Sequence, residues 1–167
     1  MSIGSIIYVD SNVYGYAASG GGDAHQLRLA AEAQSLLGFV RLGMLRLVHS
    51  GLVDREIVGF RNELVRKRIE RVVPQPRHVY RTMFNFDDLL EPAIVLAKRI
   101  SLDEADALHA LIAASMGAEY IVSAEESNFF AKLHAFAVEQ PKAYENELGA
   151  LRAVSLLQWH AEIIGHG

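Results

Sequence analysis

Cysteine is absent from this chain, which excludes disulfides, thiolate nucleophiles and zinc–sulfur sites at once. Proline is scarce, with four among 167 residues, while 51% of the residues are hydrophobic. That balance describes a compact globule rather than a disordered chain. Long hydrophobic runs are missing too, and none approaches the length of a membrane span. The opening MSIGSIIYVD has no basic segment and reaches an acid too soon for a secretory signal, so the expected location is cytoplasmic. Positive charge is not in excess either. The formal net charge of −4 argues against a protein that simply coats nucleic acid.

What is present fits one domain spanning residues 1–167, long enough to bury roughly two-thirds of its unfolded surface. Charge is unevenly spread along it. Arg55, Arg61, Arg66, Lys67, Arg68, Arg71, Arg77 and Arg81 make up half of the 16 basic residues, against only Glu56, Glu63 and Glu70 in the same stretch. Such a stretch reads either as a polyanion-facing edge or as a solvated helix face laced by pairs such as Glu63–Lys67 and Arg66–Glu70.

The segment SLDEADALHALIAASMGAEYIVSAEESNFF, residues 101–130, carries the clearest pattern. Ser101 with Glu104 three residues on predicts a capping box and a helix. Gly117 stands where a left-handed C-terminal cap is wanted. Residues 119–123 then have the β-branched look of a buried strand. Asp106, Ala110, Ala113 and Gly117 share one stripe, whose small residues would let the helix lie close to a sheet. Glu125 and Glu126 follow the strand's C-terminal end, where open α/β sheets hold ligands.

Elsewhere, residues 5–9 predict a strand ending at Asp10, and residues 45–48 a second one. Asp23 with Gln26 caps a helix whose apolar stripe is Leu27, Ala30, Ala31, Leu37 and Val40. Ser50 opens a helix predicted to run to about Val72, with Ile57, Phe60, Leu64 and Val65 as its core stripe. Pro74 and Pro76 break that run, and a helix over 87–99 follows. After Glu125, residues 129–138 predict a helix, 141–149 a loop, 153–156 a last strand and 158–164 a short helix. Residues 131–167 thus form a C-terminal extension completing the sheet. Strands alternating with helices imply an α/β fold with a mostly parallel central sheet covered on both faces.

In such a sheet Asp10 and Glu125, each after a strand, can converge with Glu56 and Asp106 on helices. Each acid also has a plain structural reading: Asp10 as a turn former, Glu56 as a solvated helix acid, Asp106 as a dipole partner, Glu125 as a loop acid. The joint arrangement says more. Two carboxylates about 4 Å apart repel by roughly 4 kcal/mol at an effective dielectric near 20, so protons or a cation must offset them. Magnesium and similar hard cations are the natural answer, and the chemistry they bring is phosphodiester hydrolysis. His109, one turn from Asp106, could orient it, although a helix-face histidine among apolar neighbours reads first as packing. Tyr14 and Tyr16 follow Asp10 and read as base-stacking groups or as core. His160 and His166 match no zinc spacing.

Asp-Ser-Asn-Val at 10–13, Ser50 with Glu56, Ala-Asp-Ala-Leu-His at 105–109 and Ile-Val-Ser-Ala-Glu at 121–125 together resemble a PIN-domain protein. The similarity is to the small prokaryotic ribonucleases of the VapC toxin type and spans roughly residues 6–130. It implies a three-layer α/β/α sandwich and a magnesium- or manganese-dependent endoribonuclease with Asp10, Glu56, Asp106 and Glu125 as catalytic acids. Asp10, Asp106 and Glu125 would be the metal ligands, supported by Asn12, Ser123 and Glu126. RNA as substrate, an antitoxin protein as partner and a homodimer are further implications. The sequence departs from the family in placing Glu125 where Asp is usual, which leaves a non-cutting RNA- or protein-binding module as the alternative. The faint echo of a haloacid-dehalogenase-like phosphatase at Asp10 lacks that family's second Asp, since Asn12 stands there.

Overall fold

The computed structural model describes residues 4–125 and 128–165. Five strands form one sheet: β1 (Ile6–Val9), β2 (Arg46–Ser50), β3 (Val79–Met83), β4 (Tyr120–Ser123) and β5 (Arg152–Ser155). Their order is β3-β2-β1-β4-β5, and every neighbouring pair is parallel. Parallel strands need crossovers, and the helices supply them: α1 (Ser11–Ala17) and α2 (Ala24–Arg41) join β1 to β2. α3 (Gly51–Val58) and α4 (Glu63–Val72) lead to β3, and α5 (Leu90–Ile100) and α6 (Glu104–Ser115) lead to β4. α7 (Phe129–Glu139) and α8 (Pro141–Leu148) lead to β5, and a π-helical turn follows at His160–Ile164.

From β1 the chain steps twice in one direction to β3, then crosses back to β4 and β5. Right-handed crossovers therefore put α1–α4 on one face and α5–α8 on the other. The result is the three-layer α/β/α sandwich. Its core is the sheet's two faces, with Ile7, Leu47, Ile121 and Val122 fully buried, closed by Leu36 and Leu37 of α2 and Ala110, Ile112 and Ala113 of α6. Strand order reverses between β1 and β4, which pair through Ile7–Tyr120, Tyr8–Ile121 and Val9–Val122. A crevice at the C-terminal ends of two such strands is where this architecture binds ligands.

Several local expectations are met. Asp23 and Gln26 form a reciprocal capping box on α2, and Gly117 has φ +73° at the stop after α6. Others are corrected. Ser101 does not cap α6; it ends α5 in the left-handed region at φ 55°, and the Asp103 carboxylate accepts the N–H of Ala105 instead. The long helix from Ser50 is two helices, because Gly59 closes α3 and Asn62 caps α4 through the N–H groups of Leu64 and Val65. Phe60 and Leu64 are consequently exposed rather than core, as are Leu27 and Ala31 on α2. Residues 141–148 are helix α8, not loop, with Pro141 at its first turn where a missing N–H costs nothing. Pro74 and Pro76 predict only an extended crossing, and strand β3 lies within it.

Candidate metal centre

Asp10 is carried to the rim by β1 and held there by its own backbone, whose N–H donates to the Val122 carbonyl of β4 at 3.0 Å. Its side chain is 14% exposed. Oδ2 accepts two hydrogen bonds, from Asn12 Nδ2 and from Ser123 Oγ, both at 2.9 Å. Asn12, in the first turn of α1, also donates to Ser123 Oγ at 2.9 Å and accepts the Ala124 N–H on Oδ1 at 3.0 Å. Ser123, buried at the end of β4, takes the Glu125 N–H at 3.2 Å. The three side chains lock the ends of β1 and β4 together and leave Asp10 Oδ1 the less committed oxygen, with only Ser11 Oγ at 3.4 Å.

Glu56 comes from α3, which Ser50 caps directly after β2. Its Oε1 lies 3.0 Å from His109 Nε2 on α6, and His109 is in turn 3.8 Å from Asp10 Oδ1. The opposite imidazole nitrogen, Nδ1, lies 2.6 Å from the Tyr8 hydroxyl, which is 2.7 Å from Ser50 Oγ. A neutral imidazole that donates from Nε2 to Glu56 accepts from Tyr8, and Tyr8 accepts from Ser50. A protonated one reverses those two bonds. Burial pushes the Tyr8 phenol well above its ordinary value, so it serves as a hydroxyl throughout. For His109, burial pushes the pKa down, but the Glu56 hydrogen bond and the charges of Asp10, Glu56 and Asp106 prevail and raise it. For Glu56, burial pushes up, and the hydrogen bond and charge of His109, with a smaller contribution from Ser11, bring it below the ordinary value.

Asp106 sits half-buried in the first turn of α6. Burial, then the charges of Glu125, Asp10 and Asp103, push its carboxyl up to about 6, against the opposing pull of His109. The centre is thus short of positive charge, and Asp106 bears the consequence. Glu125 is exposed, contributing charge to the rim rather than a buried ligand. Glu126 lies outside the described residues, as does His166. Tyr14 is core, fully buried, and unavailable for stacking on a base.

Among the described residues, Asp10, Glu56 and His109 offer ligand atoms within 4.8 Å of one another. Among the described residues Glu56 Oε2 is buried without a hydrogen-bond partner, an arrangement that normally costs roughly 1–3 kcal/mol, and more for a charged group. An orphaned carboxylate oxygen in the same cluster as Asp10 suits a hard cation such as magnesium or manganese. The donor set therefore fits a divalent cation. Of the acids singled out in the sequence, Asp10 and Glu56 meet in this cluster, and His109, read there as packing or as orienting Asp106, joins them. Its spacing from Asp106 was visible; its reach across the sheet to Glu56 was not. A cleft of about 730 Å³ between α7, α8 and β5 shares no residue with this cluster.

The fold and the cluster define a class: a three-layer α/β/α domain with a carboxylate–imidazole group at the switch point of a parallel sheet. No protein-family model, curated protein or solved structure matches the chain.

Proposed function

We propose that this protein is a divalent-metal-dependent ribonuclease of PIN type that hydrolyses RNA phosphodiester bonds. The observation that carries the reading is the meeting of Asp10, Glu56 and His109 at one rim, with Asp106 pushed up to about 6 by its neighbours' charge. Asp10 Oδ1, Asp106 and Glu125 would hold the cation, and the unpartnered Oε2 of Glu56 would be open to it. A cation there supplies Lewis acidity towards a phosphoryl oxygen and lowers the pKa of an attacking water. Asn12 and Ser123 keep Asp10 Oδ2 occupied, so that Oδ1 is the oxygen presented. His109 Nε2 holds a proton against Glu56, and Tyr8 and Ser50 behind it let that proton be exchanged without a change of contact.

On this reading the protein works in the cytoplasm as a homodimer, restrained by an antitoxin protein. Among the described residues no helix is long and apolar enough to cross a membrane. The test compares wild type with Asp106→Asn on single-stranded RNA and millimolar manganese. Fragments carrying 5′-phosphates from wild type alone are expected; intact RNA from both overturns the reading. Exposure of Glu125 favours one second reading, a module of the same fold that grips RNA or protein without cutting. RNA retained but intact, and insensitive to Asp10→Asn, would establish that alternative.

A further inference from the structure

Helix α1 begins at the acid cluster and ends about 10 Å away, at 1.5 Å per residue, on the glycine-rich loop Ser19-Gly-Gly-Gly-Asp23. That loop and helix α4 face each other across a cleft of about 620 Å³, lined by Gly15, Ala18, Ser19, Gly20, Gly21, Val65 and Arg68. No acid lines it. Arg68 is exposed and, among the described residues, has no carboxylate within ion-pair distance, whereas its neighbours Arg66 and Lys67 are bridged to Glu70 and Glu63. Arg61 and Arg71 are likewise exposed and, among the described residues, without a salt bridge. The opposite wall is bare backbone. The N–H groups of Gly20 and Gly21 take no partner from the described residues, and a Cβ at either position would meet nothing within 4 Å. Asp23, the nearest acid in sequence, is turned onto the Gln26 N–H as a helix cap.

A free guanidinium opposite unpartnered glycine N–H groups is complementary to a phosphate. The one supplies charge and forked donors, the other donors that an anion can approach without meeting a side chain. We propose that this cleft is a phosphate subsite for the backbone of a single-stranded RNA, gripping it about one short helix away from the metal centre. The identity of the phosphate-bearing chain rests on the proposed ribonuclease reading; the anion chemistry of the cleft does not. The subsite reads no base, so it sets register and affinity rather than sequence preference.

The test uses the full chain in EDTA, so that no RNA is cut, with a 5′-fluorescein single-stranded RNA of mixed sequence followed by anisotropy across salt. Arg68→Glu and Gly21→Asp act from opposite walls, at exposed positions that no packing depends on. Each is expected to weaken binding about tenfold at low salt. Arg68→Glu should also flatten the slope of log K against log salt by about 0.7, the loss of one phosphate contact on a single strand. Arg68→Lys should retain most of the affinity. Lys142→Glu, the same charge change on exposed α8, should stay within about twofold of wild type. Unchanged binding by both wall variants, an equal loss in Lys142→Glu, or no binding by wild type overturns the subsite. Adding manganese to the same samples separates the two readings. RNA held through Arg68 but left intact upholds the subsite and sinks the nuclease. RNA cut equally by wild type and Arg68→Glu does the reverse.

Discussion

His109 Nε2 stands 3.0 Å from Glu56 Oε1, joining α6 on one face of the sheet to α3 on the other across the rim of β1. The imidazole is 3% exposed and the carboxylate 29%. Removing one partner of a buried pair leaves an uncompensated group behind, so His109→Ala is expected to cost about 3 kcal/mol in urea denaturation. The pH profile follows from the two shifts. His109 is raised above its ordinary 6.5, so its contribution is complete below that value and lost as pH climbs through the folded pKa. Glu56 is lowered below 4.5, so its contribution is complete above that value and lost as pH falls through the folded pKa. The wild-type advantage over His109→Ala should therefore be greatest between pH 4.5 and 6.5 and shrink on both sides. A difference that shrinks neither below pH 4.5 nor above pH 6.5 would mean the contact carries no charge.

Asp106 gives the opposite sign. Its carboxyl, pushed from 3.8 to about 6, is ionised in the folded state only against its surroundings. The resulting penalty is absent below the ordinary value, grows as pH rises, and is complete above about 6. Among the described residues no side-chain hydrogen bond to Asp106 stands to be lost. Asp106→Asn should consequently stabilise the metal-free protein by about 1–2 kcal/mol at neutral pH, a figure reduced for its partial exposure, and by nothing near pH 3. Parallel melting curves of the two proteins in EDTA check this. A destabilised Asn variant at pH 7 would show that the acids do not crowd.

Asn12 spends both ends of its amide on the rim. Asn12→Ala strands the Ala124 N–H and frees Asp10 Oδ2 of one donor, at about 2 kcal/mol. Asn12→Asp is worse despite its similar shape. It replaces the donor with a charge facing Asp10, adding repulsion of roughly 4 kcal/mol at 4 Å before any proton relieves it. Metal-free stability should fall in the order wild type, Ala, Asp, measured as denaturation midpoints. Equal midpoints for the two variants would remove Asn12 from the electrostatics of the site.

Much of this was legible in the residues. The D-x-x-Q box at Asp23 and Gln26 is a local pattern, as is the stop at Gly117, and local patterns survive folding. Asp10 could be placed because it follows a strand end and Asp106 because it lies in the first turn of a helix, positions that a parallel sheet gathers on one side, and Glu56 because it lies on the helix that leaves β2. What failed has physical causes. Strand β3 is an edge strand with Tyr80, Arg81 and Thr82 all exposed, so it lacks the alternation that marks a half-buried strand. Helix α8 buries only Leu148, so its stripe is too thin to read, and Pro141 suggests a break where it begins a helix. The Ser101 box matched its pattern, but Asp103 sits nearer and took the cap. His109 reads as packing because its partners Glu56 and Tyr8 are far off in sequence, where no periodicity reaches.

Manganese should stabilise the folded protein, since a cation bound only by the native state adds RT ln(1 + [L]/Kd), about 2.7 kcal/mol at a hundredfold excess over Kd. For a domain of this length that is a rise in Tm of roughly 5–10 °C. The proton linkage makes the expectation sharper. Binding must displace whatever proton Asp106 holds, and with its carboxyl at about 6 that proton is mostly absent at pH 7.5 and mostly present at pH 5. The manganese shift should therefore be larger at the higher pH, vanish in Asp10→Asn, and persist in Lys142→Glu. Nonspecific binding to surface acids would survive Asp10→Asn, because that variant removes only one of the chain's 20 acidic residues. An unchanged melting curve at neutral pH with millimolar manganese would instead leave the orphaned Glu56 oxygen without a purpose, and the centre without its cation.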